Sequence, residues 1–193
     1  MKSIVLIGDS IRMGYEPLVR EMLAGRAEVW GPEENGGPSA RVLANLEAWA
    51  LSRRPDVVHV NCGLHDIKKP PNPSLGPDRG EPATPVFIYA ENVRKILTAL
   101  KALPATRVIW ASTTPVHEER HRGNPDFWRY MDDVIEYNRA AELVASSLKV
   151  EIHDLYGLVM ESGRDRLLKH DGVHYTPEGC RLLAERVAAK IMI

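Results

Sequence analysis

The N-terminal segment of the chain is an uninterrupted apolar run that stops at a Gly-Asp-Ser triplet. Its four consecutive aliphatic residues, Ile4 to Ile7, lack the polar alternation of a strand with one solvated face. Such a run is typical of a parallel sheet that is covered on both faces. Gly8 permits a sharp turn, and Ser10 follows at the carboxyl end of the strand, where open α/β sheets bind their ligands. We therefore expect a central strand that presents a serine at the functional edge of a sheet.

Strand-like and helix-like segments alternate along the rest of the chain. The predicted strands are 3–7, 27–30, 57–62, 107–111 and 150–153. Strands that alternate with helices predict a parallel sheet with helices on both faces, joined by right-handed connections. The expected fold class is α/β, a three-layer α/β/α sandwich around a five-stranded parallel sheet, with residues 1–193 in a single domain.

Helix boundaries are predicted from periodicity and capping residues. Pro17 suits the first turn of the first helix, Gly25 is a candidate for its C-cap, and Ser39 is a candidate N-cap of the second. Longer helices are expected near 88–103 and from about 127 to 148. The last helix should begin at residues 176–178, where Thr-Pro-Glu supplies an N-cap, a proline at the first position and an acid on the helix dipole.

Composition places the chain among ordinary globular proteins. It has 193 residues, of which 44% are hydrophobic, and its 25 basic and 26 acidic residues leave a net charge of -1. This balance gives no electrostatic reason to expect a nucleic acid or a membrane surface as partner. The two cysteines, Cys62 and Cys180, are expected to be reduced thiols rather than a disulfide. Without a signal-peptide pattern or an apolar stretch of about 20 residues, the protein is expected to be cytoplasmic.

Two loops stand out by composition. The segment from Lys68 to Pro85 is too rich in proline for a regular helix or a central strand, and it is either a lid or binding element or a flexible insertion. The second loop, 116–126, carries several histidines and arginines, which with Trp128 either line a substrate cleft or are simply solvated. No metal-ligand spacing occurs there, and we predict no metal site.

Three short blocks fall in order at predicted strand ends: Gly8-Asp9-Ser10, Gly63-x-x-Asp66 and Asp171-x-x-His174. Together they resemble the spaced blocks of the SGNH (GDSL-type) hydrolase superfamily, over nearly the whole chain. The first block alone is common by chance, and the specificity comes from all three in order. The resemblance implies a flavodoxin-like topology, a serine esterase without a cofactor, and a small-molecule ester as its partner.

The resemblance implies a catalytic triad in which Ser10 is the nucleophile, His174 the general base and Asp171 the carboxylate that orients it. The chemistry requires such a set, because a base must take the serine proton and an acceptor must hold the imidazole in one tautomer. The alternative for the third block is a surface turn before a capped helix. The presence of Ser10 favours the triad.

The oxyanion site is where this sequence departs from the superfamily pattern. Relatives combine the nucleophile's own N–H, here that of Ser10, with the N–H of a second-block glycine and an asparagine side chain in a Gly-x-Asn-Asp block. Gly37 is the candidate glycine, with Gly36 a close rival, and the asparagine position is His65. A neutral imidazole has one N–H and can replace the asparagine only in the right tautomer, which Asp66 or Asn61 could fix. The alternative is a structural histidine.

Further substrate contacts are predicted on or beside the same edge, namely Asp9, Asp66, Arg120, His121 and Tyr175. His59 is expected in the core, while His153 and His170 are expected on the surface or behind the site. A polar cleft favours a small acyl group, such as acetyl, on a polar alcohol such as a sugar. A lysophospholipase, a thioesterase, an acyltransferase and a non-catalytic binding domain remain open, as do the natural ester and the oligomeric state.

Overall fold

Five parallel strands form the centre of the structure, and their spatial order reverses direction once. The structure, a computed structural model, describes residues 1–70 and 80–193. The strands are β1 (Lys2–Ile7), β2 (Ala27–Trp30), β3 (Val57–Val60), β4 (Arg107–Ala111) and β5 (Glu151–His153), in the order β2-β1-β3-β4-β5. Each neighbouring pair is parallel. The predicted sheet and its flavodoxin-like order are confirmed, and the reversal between β1 and β3 opens the crevice in which such sheets bind ligands.

Helices cover both faces of this sheet. They are α1 (Ser10–Met22), α2 (Ser39–Leu46), α3 (Val86–Lys101), α4 (Glu118–His121), α5 (Met131–Ser147), α6 (Leu155–Glu161), α7 (Arg164–Leu167) and α8 (Pro177–Met192), and a π-helical turn continues α2. α1 packs against α8, whereas α2, α3 and α5 pack side by side. Right-handed connections put these two groups on opposite faces, because the chain leaves β1 in one direction and crosses from β2 to β5 in the other. The predicted three-layer sandwich is confirmed.

The core is centred on the two strands that flank the reversal. Ile4 to Ile7 of β1 are at most 2% exposed, and all four residues of β3 are buried. Burying one such aliphatic side chain contributes about 1.5–3 kcal/mol. His59 lies in this core as predicted, with its Nε2 3.1 Å from Nδ1 of His153 on β5. Both cysteines are free thiols, as expected.

The first helix begins earlier than predicted. α1 starts at Ser10, immediately after the strand-end turn, so the expectation that Pro17 lies in its first turn is wrong. The cause is Asp9, whose Oδ1 accepts the N–H of Ile11 at 2.9 Å and caps the helix at the Gly-Asp-Ser triplet itself. Leu23 rather than Gly25 is the C-cap. The nucleophile candidate is therefore the first residue of a helix.

The fifth helix begins later than predicted, because the segment before it is extended. α5 starts at Met131, and Trp128 forms an antiparallel bridge with Lys69 through two backbone hydrogen bonds of 2.8 and 3.0 Å. At the far end of the Pro-rich segment, the N–H of Ala83 donates to the carbonyl of Lys68, next to this bridge. Residues 71–79 of that segment lie outside the described residues, so its predicted role as a lid stays a prediction.

Within the part of the chain that the structure describes, no helix has the length and apolar character needed to cross a bilayer. The predicted cytoplasmic location stays a prediction.

Asn138 of α5 tests how the end of β4 is held. Its Oδ1 accepts the N–H of Thr113 at 2.7 Å and its Nδ2 donates to the carbonyl of the same residue at 2.8 Å, in a buried environment. Asn138→Ala leaves both backbone groups unpaired, so we expect a loss of about 1–3 kcal/mol per group in the free energy of unfolding. Asn45→Ala is the matched control, since that amide makes one hydrogen bond within α2. Urea unfolding measures both, and equal midpoints would contradict the role of Asn138.

Candidate active site

Ser10 faces a histidine from the other end of the chain. It follows β1 as the first residue of α1, and its Oγ lies 2.9 Å from Nε2 of His174. As the first helical residue, Ser10 has a backbone N–H without an intrahelical partner. The junction thus offers a hydroxyl beside a base and an N–H donor from the same residue.

The loop from 171 to 174 holds this histidine through one carboxylate. Oδ2 of Asp171 lies 2.8 Å from Nδ1 of His174, while Oδ1 accepts the N–H groups of Val173 and His174, both at 2.9 Å. Burial alone would raise the pKa of the Asp171 carboxyl, but these hydrogen bonds and the imidazole hold it below its usual range. A carboxylate at Nδ1 leaves Nε2 free to accept the serine proton. The structure thus brings Ser10, His174 and Asp171 into one hydrogen-bonded line.

The loop itself is fixed by backbone contacts. An antiparallel bridge joins Leu168 to Tyr175 across its base, and the N–H of His117 donates to the carbonyl of Gly172 at 2.7 Å. Gly172 has a φ of +74°, and a Cβ there would lie 2.5 Å from the carbonyl oxygen of His117. The turn therefore requires glycine.

Both candidate oxyanion glycines already use their N–H groups. The N–H of Gly36 donates to the carbonyl of Gly8 at 3.0 Å, and the N–H of Gly37 donates to Oδ1 of Asn35 at 2.9 Å. The first bond joins two backbones so closely that a Cβ on Gly36 would lie 2.6 Å from the Gly8 oxygen. The second can be released by turning a side chain. This difference favours Gly37 over Gly36 as a donor to substrate.

His65 lies in the same cleft as Ser10, but its ring is not held as the sequence suggested. The carboxylate of Asp66 accepts the N–H and the hydroxyl of Ser39, the first residue of α2, and the amide of Asn61 donates to the carbonyl of Ala111. Neither residue therefore fixes the tautomer of His65. Burial, with the positive charges of Lys68 and Arg129, lowers the pKa of His65 to about 4. At neutral pH its ring is uncharged and carries one N–H.

Ser10, His65, Asp171 and His174 open onto a cleft of about 590 Å³. The other described residues that line it include Asn35, Leu64, Lys68, Arg120, His121, Phe127, Arg129 and His170. Two predicted substrate contacts, Arg120 and His121, therefore lie at the cleft. The guanidinium of Arg120 is also bound to the carbonyls of Asp165 and Leu168.

The structure places three of the predicted substrate contacts outside the lining of the cleft. Asp9, Asp66 and Tyr175 are at most 3% exposed and do not line the cleft. Asp9 caps α1, Asp66 binds the start of α2, and Tyr175 lies in the core and forms the bridge with Leu168 at the base of the 171–174 loop. These residues support the site from behind, because their polar atoms face backbone or core rather than the cleft.

One part of the cleft wall was not predicted from the sequence. Phe127 and Arg129 line it, whereas Trp128, predicted to do so, instead donates its indole N–H to the carbonyl of Asn124. Successive side chains of an extended segment point to opposite sides, so Phe127 and Arg129 point to the side opposite Trp128. A prediction of extended backbone at 127–129 would have put Phe127 and Arg129 on the same side of the chain. The helical periodicity of the segment that follows led instead to a predicted helix from about 127.

Arg129 connects this wall to the triad loop. Its Nε donates to the carbonyl of Leu64 at 2.5 Å, and its Nη1 lies 3.2 Å from Nε2 of His121. His121 in turn reaches the carbonyl of Asp171 with Nδ1 at 3.3 Å. Burial lowers the pKa of Arg129 to about 10, against the pull of Asp9 and Asp171, and it lowers the pKa of His121 to about 4. A neutral His121 can accept from the arginine and donate to the loop.

The chain is similar to known proteins both in sequence and in fold. Residues 6–182 match the sequence profile described as the GDSL-like Lipase/Acylhydrolase family. The chain belongs to this family. The match also confirms the predicted enzyme class, a carboxylic ester hydrolase. A search of curated protein sequences finds no significant match.

Solved structures of GDSL-family proteins and other esterases share the fold over almost the whole chain. A lipase/acylhydrolase from Enterococcus faecalis is 24% identical with a TM-score of 0.77, and the alignment covers 99% of this chain and 95% of that one. An acetyl xylan esterase, AlAXEase, is 19% identical with a TM-score of 0.74 and coverage of 98% and 99%. An acetyl xylan esterase from Geobacillus stearothermophilus is 18% identical, with a TM-score of 0.76 and coverage of 98% and 94%. At these identities the likeness concerns the fold.

In residues 1–70 and 80–193, no group of three or more His, Cys, Asp or Glu side chains is arranged to hold a metal ion.

Asp171 tests the hydrogen-bonded line. Asp171→Ala removes the acceptor that orients His174, and we expect kcat for an activated acetate ester to fall by about 10⁴-fold. Asp165→Ala is the matched control, because Asp165 is an exposed carboxylate on α7 that pairs with Arg164. Steady-state kinetics measure both variants, and circular dichroism checks that the loop change leaves the fold intact. Near-normal turnover by a folded Asp171→Ala protein would contradict the orienting role.

Proposed function

We propose that the protein is a serine esterase that hydrolyses small acyl esters, such as acetyl esters, of a polar alcohol, with a carbohydrate as the expected alcohol. One observation carries this proposal: Ser10 Oγ, the His174 ring and the Asp171 carboxylate form a continuous line of hydrogen bonds of 2.9 and 2.8 Å at the mouth of a cleft. This arrangement performs acyl transfer through a covalent intermediate.

The geometry supports a two-step reaction. His174 takes the proton of Ser10 as Oγ attacks the ester carbonyl, and Asp171 stabilises the imidazolium that forms. The imidazolium then gives its proton to the leaving alcohol as the C–O bond breaks, which leaves an acyl-enzyme. In the second step His174 takes a proton from water, the hydroxide attacks the acyl carbonyl, and Oγ leaves with a proton from the imidazolium.

The oxyanion of each tetrahedral intermediate needs donors aimed at it. The Ser10 N–H at the start of α1 is one, and we assign the single N–H of neutral His65 as a second. Gly37 supplies a third when Asn35, whose Oδ1 holds its N–H, turns toward substrate. In this assignment Asn35 protects the donor in the resting enzyme.

The preference for a small acyl group and a polar alcohol rests on the cleft wall. Apart from Leu64, Gly123, Phe127 and Val173, the described lining is polar or charged. A long fatty chain would have to desolvate these groups without pairing them. Two of the structural neighbours named above are acetyl xylan esterases, which agrees with an acetyl ester of a carbohydrate.

The esterase proposal is tested at the nucleophile. We expect the protein to release a burst of 4-nitrophenol from 4-nitrophenyl acetate and to be labelled by a fluorophosphonate, and Ser10→Ala should lose both because the attacking oxygen is gone. Ser52→Ala, an exposed serine bound to Glu47, is the matched control. Stopped-flow absorbance and intact-mass spectrometry measure the two readouts. No turnover and no label in the unmodified protein would favour a binding domain, and the proposal would fail.

His65 is tested by two substitutions. His65→Ala removes one oxyanion donor, so we expect kcat to fall by about 10²–10³-fold. His65→Asn restores an N–H donor of the kind found in relatives and should retain much more activity. Steady-state kinetics on the same ester distinguish the two, with KM expected to change less than kcat because the donor acts in the transition state. Equal rates for His65→Ala and the unmodified protein would contradict the assignment.

A further inference from the structure

Two cations lie against one aromatic ring in the wall of the cleft. Nζ of Lys68 is 4.2 Å from the ring centroid of Phe127, and Cζ of Arg129 is 4.9 Å from it. All three side chains line the same cavity as Ser10 and His174. The ring therefore holds two positive charges beside the place where the ester must bind.

In the part of the chain that the structure describes, neither of these two cations has a direct acidic partner. Among residues 1–70 and 80–193, no carboxylate lies within ion-pair distance of Lys68 or Arg129, although Asp9 and Asp171 attract Arg129 at longer range. Arg129 is only 6% exposed, and its fixed contacts are a carbonyl and a neutral imidazole. Burying a charge without an ion pair costs free energy, and so does placing two like charges around one ring.

The described lining as a whole also carries more positive than negative charge. It contains three cations, Lys68, Arg120 and Arg129, against one carboxylate, Asp171, which is committed to His174. The chain overall carries a net charge of -1, so the excess of positive charge belongs to this cleft and not to the protein in general. Low-dielectric walls strengthen such a local field.

We infer that the substrate carries an anionic group, a carboxylate or a phosphate, on its alcohol portion, and that Lys68 and Arg129 bind that group. This inference deepens the proposed function and rests on it. The alcohol portion is the side that fits, because an acetyl group is too small to reach across a cavity of about 590 Å³ while the alcohol must occupy the rest of it. An acylated sugar acid or sugar phosphate has this chemistry.

A matched series of esters tests the inference. We expect kcat/KM for 3- or 4-acetoxybenzoate to exceed that for the corresponding methyl acetoxybenzoate by about 10- to 100-fold, as hydrogen bonds to a charged group allow. The preference should appear in KM, since the anion is bound equally in the ground and transition states. It should shrink with added salt, because part of it is electrostatic.

Lys68→Met tests the assigned residue. We expect the ratio of kcat/KM for the anionic ester to that for its neutral methyl ester to fall by about 10-fold. Lys95→Met is the matched control, because Lys95 is an exposed lysine of α3 that pairs with Glu91 and should leave the ratio unchanged. Arg129→Lys keeps the positive charge but removes the planar guanidinium, which binds an anion through two hydrogen bonds. It therefore offers a second test without placing a neutral residue at this buried position.

The outcomes separate the inference from the proposed function. If the neutral ester is cleaved as fast as the anionic one, or Lys68→Met and Lys95→Met give the same ratio, the anion site is wrong and the esterase stands. If a preference appears only when the anion is in the acyl part, as in 4-nitrophenyl hemisuccinate against 4-nitrophenyl butyrate, the assignment to the alcohol is overturned. If no ester is cleaved and Ser10 is not labelled, the proposed function fails and the inference with it.

Discussion

The reversal of strand order between β1 and β3 is the constraint on which the site depends. Because the chain leaves β1 toward one edge of the sheet and leaves β3 toward the other, the loops that follow these strands diverge and open a crevice. Ser10 and His65 stand on its two sides. Near Ser10, the Gly36 N–H donates to the Gly8 carbonyl at 3.0 Å, a close approach that a Cβ on residue 36 would prevent. Ser10 is thus positioned by this backbone contact together with the helix cap that the Asp9 side chain provides.

One carboxylate couples local structure to chemistry at the other side of the crevice. Oδ1 of Asp171 organises the turn by accepting two backbone N–H groups, and Oδ2 orients the imidazole of His174. The turn is further held by the bridge from Leu168 to Tyr175 and by the close approach of His117 to Gly172. Because the same residue shapes the loop and aims the base, the hydrogen bond to Ser10 needs little further ordering. Preorganisation of this kind lowers the entropic cost of reaching the reactive geometry.

Features encoded locally were predictable from the sequence, and features made by distant contacts were not. The run Ile4 to Ile7 specifies a buried strand wherever it is placed, and Thr176 with Pro177 specifies a helix start. The extended backbone at Trp128 depends on a bridge to Lys69, which is far away in the chain. Because periodicity does not report such a contact, the predicted helix began too early. The hydrogen bond from the Gly37 N–H to Asn35 likewise depends on a side-chain conformation that a sequence motif does not specify.

The two walls of the cleft differ in their access to water, and this difference bears on how the site works. The side chains of Asp171 and His174 are 49% and 46% exposed. Arg129, in contrast, is almost fully buried, and His65 is buried enough for its ring to stay neutral. Electrostatic interactions are therefore stronger around Arg129 and His65 than around Asp171 and His174, where water screens them. A bound substrate that covers Asp171 and His174 therefore strengthens the hydrogen bond between them, because it removes both side chains from water.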